Sequence, residues 1–152
     1  MGQLSERIKP YTILGLDTSV FIYHFEKHSQ YVHLTRELFF GIESGKYMGI
    51  TSTITLMEIL IRPLALGEQD VARKYEALLA NFPHLEMVDI DRDIIRHAAQ
   101  IRAEYRLRPP DAIQISACLA KDARAFITND RHMERLKNQI DIIILGDFSS
   151  QK

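Results

Sequence analysis

The chain has 152 residues, 46% of them apolar and 26% charged, which is the composition of one globular domain with a full core. Its formal net charge of −1 excludes a global field that would gather nucleic acid, so any polyanion has to be held by a local basic patch. No apolar stretch approaches the roughly 18 residues that cross a bilayer, the start lacks the apolar segment of a secretory signal, and the lone Cys118 excludes an internal disulfide and fits a reducing cytoplasm.

No repeat, linker or low-complexity tract divides the chain, so residues 11–148 read as one domain, with 1–10 and 149–152 as terminal extensions. Taken in order, the β-branched run at 12–16 predicts a first strand. The spacing of Leu34, Leu38 and Ile42 predicts a helix over 31–44. A second strand follows at 47–50, and Ser52 or Thr53 starts a helix that reaches Pro63. Val71, Tyr75, Leu78 and Leu79 predict a helix over 68–81, ahead of a strand at 85–90. Asp91 opens a helix over 91–105 through Ile94, Ile95, Ala98 and Ile101, and Pro109-Pro110 starts another. Strands at 125–128 and 141–145 complete the pattern. Such alternation predicts a three-layer α/β/α sandwich around a central parallel sheet of about five strands. Its ligands are expected at the carboxyl edge of the strands, where strand order reverses.

Four carboxylates interrupt this apolar framework. Asp17 closes Ile13-Leu14-Gly15-Leu16, and Asp130 follows Phe126-Ile127-Thr128-Asn129, so both fall just past a strand. Glu58 lies on the face shared by Ile54 and Ile61, and Asp111 on that of Ile115 and Cys118. An unpaired acid facing a core costs several kcal/mol or takes up a proton. Each has an ordinary reading alone: Asp17 as a helix cap, Glu58 paired with Arg62, Asp111 complementing a helix dipole, Asp130 in a turn. Together they read as an all-oxygen pocket for Mg²⁺ or Mn²⁺.

These residues also carry a family resemblance. Leu16-Asp17-Thr18-Ser19-Val20-Phe21-Ile22-Tyr23, Thr55-Leu56-Met57-Glu58-Ile59, Arg108-Pro109-Pro110-Asp111-Ala112-Ile113-Gln114 and Phe126-Ile127-Thr128-Asn129-Asp130 resemble, in order and spacing, the four motifs of PIN domains. The resemblance runs over about residues 13–148. It implies a metal-dependent nuclease acting on RNA, with Asp17, Glu58, Asp111 and Asp130 at the acidic metal-site positions and Ser19 and Thr128 as the hydroxyls that orient them. Compact members of the family are often toxins of type II toxin–antitoxin pairs, the VapC type, which implies an antitoxin partner. Arg131-His132-Met133 departs from the family pattern, where an acid and Phe are common.

Arg106 and Arg108 run up to Asp111, and with Arg131 they are the expected nucleic-acid-binding residues. Tyr31, Phe39, Phe40, Tyr47, Leu64 and Leu66 either enlarge the core or serve a homodimer or an antitoxin peptide. His24 and His28 read as exposed rather than zinc-binding, and Cys118 as a core thiol. No Gly-rich loop follows a strand, which disfavours nucleotide binding. A phosphatase using Asp17 as nucleophile would want an acid where Ser19 stands. An RNA-processing nuclease that is not a toxin, and a non-catalytic RNA-binding protein, are the alternatives on the same fold.

Overall fold

The computed structural model describes residues 3–149. In chain order these form α1 (Gln3–Ile8), β1 (Ile13–Leu16), α2 (Thr18–Phe25), α3 (Val32–Glu43), β2 (Met48–Ser52), α4 (Thr53–Ala65) and α5 (Gln69–Asn81). There follow β3 (Leu85–Val88), α6 (Arg92–Tyr105), α7 (Pro109–Ala120), β4 (Ala125–Thr128) and β5 (Asp141–Ile144). The strands make one all-parallel sheet in the order β3-β2-β1-β4-β5. The sandwich and sheet are those the alternating pattern predicts.

Successive strand residues point to opposite faces, and the core divides accordingly. Leu14 and Leu16 of β1 and Ile127 of β4 join Val20, Leu38 and Ile42 on one side. Phe126 faces the other, with Ile94, Ala98 and Ile101 of α6 and Ile115 and Cys118 of α7. Gly15 permits this second layer to sit close, since a Cβ there would meet Cys118 Sγ and Phe126 Cδ1 at 2.9 Å each. Burial raises the Cys118 thiol far above its ordinary range, so it stays a neutral core group.

Several local expectations shift. Residues 3–8 pack on the domain: Leu4 and Ile8 are buried, Ser5 donates to Glu37 of α3 at 2.6 Å, and Arg7 pairs with Asp141. Six residues are too few for helical periodicity to declare itself, so this segment reads as an extension in sequence. Of the expected carboxyl extension, residues 150–152 lie outside the described residues. β3 stops at Val88 rather than residue 90 because it is an edge strand, paired with β2 only over Gly49–Ser52. His24 is half-buried, not exposed, with its ring 4.5 Å from that of Phe39 and Nδ1 3.2 Å from Thr35 Oγ1. α2 ends at Phe25, so His28 lies beyond it and the two histidines do not share a helix. Phe39 and Tyr47 go to the core, whereas Phe40, Leu64 and Leu66 remain exposed, joined by Met57 and Ile61. Among the described residues no helix is long and apolar enough to cross a membrane.

Candidate active site

The chain passes outward from β1 to β2 and β3, then returns to lay β4 on the other side of β1. Strand order therefore reverses between β1 and β4, and a crevice opens at their carboxyl ends. Asp17 and Asp130 follow these two strands, and the Asp17 N–H donates to the Ile127 carbonyl at 2.9 Å. α4 and α7 bring in Glu58 and Asp111. All four carboxylates line one cleft of about 260 Å³, with Thr18, Ser19, Tyr23, Arg108 and Asn129.

Each acid has its own support. Asp17 caps α2 by accepting from the Thr18 N–H at 2.9 Å, and its other oxygen accepts from the Thr128 hydroxyl at 2.6 Å. Burial raises its pKa to about 6, against the two hydrogen bonds that favour the charged form, and the neighbouring charges of Asp111 and Glu58 push the same way. Glu58 accepts from Thr18 Oγ1 at 2.5 Å, where its ordinary reading would pair it with Arg62. Asp111, in the first turn of α7, accepts from Arg108 Nε at 3.0 Å and Nη2 at 3.3 Å. Asp130 accepts from the His132 N–H at 2.9 Å, with His132 Nδ1 at 3.1 Å from the same oxygen. The ordinary readings of Asp17, Asp111 and Asp130 are thus also satisfied. A cap and a shared cleft are compatible.

Behind the acids lies a buried polar chain. Gln114 donates to Thr55 Oγ1 at 2.7 Å and accepts from the Ser52 hydroxyl. Thr51 also donates to Thr55, at 2.8 Å, so Thr55 turns its own proton to Thr18 at 3.0 Å, and Thr18 donates to Glu58. Thr51, Ser52, Thr55 and Gln114 are all 0–1% exposed, so their hydrogen bonds have to be met within the protein. This chain ties the ends of β1 and β2 to α4 and α7, and it holds Glu58 in place.

Three site-forming residues, Thr18, Thr55 and Gln114, are not among those expected from the sequence. The signal was present: Gln114 stands between Ile113 and Ile115 on a helix face that turns inward, three residues after Asp111. Ser19 lines the cleft, but its buried hydroxyl has no hydrogen-bond partner among the described residues. Of the three arginines, Arg108 lines the cleft, with 73% of its side chain exposed. Arg106 closes α6 in the left-handed region at φ 58°, and Arg131 is drawn to Asp147 and Glu134.

A family model of the PIN domain matches residues 15–139, and the chain belongs to the PIN-domain family. Among curated proteins no match is found. Similar folds include a toxin–antitoxin complex from Klebsiella pneumoniae, at 18% identity and a TM-score of 0.63, covering 87% of this chain and 97% of that one. VapBC2 from Rickettsia felis, bound to a DNA fragment from their promoter, aligns at 18% identity and a TM-score of 0.65, over 86% and 96%. DNA-bound VapBC from Salmonella typhimurium aligns at 27% identity and 0.61, over 87% and 97%.

Proposed function

We propose that this PIN domain is a metal-dependent endoribonuclease of the cytoplasm, and that it serves as the toxin of a type II toxin–antitoxin pair. The observation that carries the reading is the convergence of Asp17, Glu58, Asp111 and Asp130 on one cleft at the reversal of strand order. The donor set is all oxygen, which suits Mg²⁺ or Mn²⁺. Among the described residues no three acidic, histidine or cysteine side chains already converge on one point as a metal site requires. Mg²⁺ keeps several waters and takes one or two carboxylates, so a looser set of acids suits it better than it would suit zinc.

Asp17 and Asp130 are the direct ligands in this reading, with Asp111 and Glu58 completing the set. The ion, when bound, supplies Lewis acidity and charge neutralisation for phosphodiester hydrolysis. The Thr18 N–H and the Thr128 hydroxyl fix the two oxygens of Asp17, each of which keeps a lone pair, and Thr18 Oγ1 fixes one oxygen of Glu58. Glu58 is the acceptor for the proton of the attacking water. Arg108 releases Asp111 to engage a phosphate oxygen of the RNA. Ser19, whose buried hydroxyl lacks a partner among the described residues, completes the polar wall.

The fold shared with proteins from toxin–antitoxin complexes supports an antitoxin partner. The exposed Met57, Ile61 and Leu64, spaced along one face of α4, support a docking face for it or for a second copy in a homodimer. The test is cleavage of RNA in Mg²⁺ or Mn²⁺ with and without EDTA, beside Asp17→Asn. Cleavage that persists in EDTA, or in that variant, overturns the metal-site reading. Growth arrest on induction, relieved by a co-expressed neighbouring gene, separates the toxin from an RNA-processing nuclease.

A further inference from the structure

A second cavity, of about 160 Å³, adjoins the acidic cleft, and Glu58 is common to both. It lies where α2, α4 and α5 meet, walled by Ile22, Phe25, Ile59 and Tyr75, with Glu26 and Arg62 completing the lining. A spacing of three puts Ile22 and Phe25 on one face of α2, which Glu26 closes as its C-cap, and a spacing of three does the same for Ile59 and Arg62 on α4. The rings of Phe25 and Tyr75 stand 5.2 Å apart at 27°, so they form a near-parallel aromatic wall. Burial, with the charges of Glu26 and Glu68, raises the Tyr75 phenol, which keeps its hydroxyl a donor.

We propose that this cavity is the subsite for one nucleobase of the RNA strand, taken from the nucleotide next to the phosphate held in the acidic cleft. The inference rests on the ribonuclease reading and adds to it the place where substrate is gripped. A strand held at Glu58 reaches the second cavity without leaving the surface, because the two share that residue. Flat apolar and aromatic walls match the face of a base, and stacking of this kind tolerates any base. Arg62 meets the phosphate that continues the strand, and the Tyr75 hydroxyl and Glu26 offer a donor and an acceptor to the base edge. An apolar protein side chain would use the walls and leave these polar groups without counterparts. Single-stranded recognition by stacking needs no run of aromatics interleaved with basic residues, which is why sequence alone gives no sign of it.

The experiment uses a single-stranded RNA oligonucleotide with one cleavage position, and versions abasic at each flanking position, in Mg²⁺. Stacking losses of this class correspond to about a tenfold change in affinity. One abasic position is expected to raise KM about tenfold. Tyr75→Ala is expected to do the same on intact RNA, and to add little on the abasic strand. Tyr75→Phe keeps the stacking face and loses only the hydroxyl, so its KM rises by less than that of Tyr75→Ala. A circular dichroism spectrum and urea midpoint near wild type for both variants guard against one that merely misfolds. A 2-aminopurine base at the sensitive position is quenched on binding to wild type and not to Tyr75→Ala. Additive losses, or wild-type KM in a folded Tyr75→Ala, overturn the subsite and leave the cavity to a protein segment. RNA left uncut by wild type in both Mg²⁺ and Mn²⁺ overturns the ribonuclease reading itself, and is distinct from cleavage without coupling.

Discussion

Asp17 follows β1 at the carboxyl edge of the sheet, and Asp141 opens β5 at the amino edge. Asp141 meets the Arg7 guanidinium through two bonds of 2.7 Å and the Tyr11 hydroxyl beside them, and this pairing holds its carboxyl below the usual range. Asp17 lies on the floor of a cleft shared with three further acids, and its own hydrogen bonds come from a neutral hydroxyl and a backbone N–H. The fold gave one acid a cation and left the other to raise its pKa. A carboxylate with its own guanidinium closes a structure; one kept short of positive charge is poised to accept it from outside.

The sharpest way to break this contrast is to remove the charge of Asp17. On the ribonuclease reading, Asp17→Asn lowers single-turnover RNA cleavage by more than about a hundredfold, since lost charge stabilisation of several kcal/mol is at stake. Divalent metal then raises the melting temperature of wild type but not of the variant, because binding to the folded state alone is what stabilises. Asp141→Asn, remote from the cleft, cleaves at the wild-type rate. Equal loss in both variants would mean that Asp17 acts through stability alone.

The next effect concerns the chain behind the acids. Gln114→Ala removes a donor to Thr55, takes the acceptor from the buried Ser52 hydroxyl and opens a cavity, so unfolding in urea should show a loss of about 2–3 kcal/mol. Cleavage falls as well, since the chain that steadies Thr18 and Glu58 is loosened where Thr55 meets Gln114. This residue also marks the limit of what the sequence declares. Asp17 and Asp130 could be placed because strand ends are legible from β-branched runs, and a parallel sheet sends those ends to one edge. Glu58 and Asp111 could be placed because helical spacing tells which face turns inward. The partners could not, because a hydrogen bond between Thr18 of α2 and Thr55 of α4 depends on how two helices cross, and periodicity is silent about that. The same holds for Arg7 and Asp141, 134 residues apart. Of the three arginines only Arg108 is among the residues lining the cleft; Arg106 closes a helix and the Arg131 side chain turns to Asp147, and neither orientation can be read from spacing in the chain.

The stability of metal-free protein should carry the contrast as a function of pH. The Asp17 carboxyl titrates near 3.8 when unfolded and at about 6 in the fold, so between these values the native state binds the extra proton. Its contribution is therefore fully present below 3.8 and is lost as pH rises through about 6. Asp17→Asn, which keeps an oxygen for Thr128, should match wild type near pH 4. Above pH 6.5 it should exceed wild type by about 1–3 kcal/mol, the range set by a shift of this size where the cleft admits some solvent.

Asp141 should give the smallest effect, and the opposite slope. Its carboxyl is depressed in the fold, so its contribution is present above the unfolded value of 3.8 and is lost as pH falls through the folded one. With 30% of its side chain exposed, and 39% of that of Arg7, solvent screens the pair. Asp141→Asn should then cost about 1 kcal/mol at pH 7, shrinking toward zero as acid protonates the wild-type carboxyl. Urea midpoints from pH 3 to 8 for the two asparagine variants should diverge from wild type in opposite directions as pH rises. Parallel curves would mean that the two aspartates differ in position alone, and that the fold draws no electrostatic distinction between its amino and carboxyl edges.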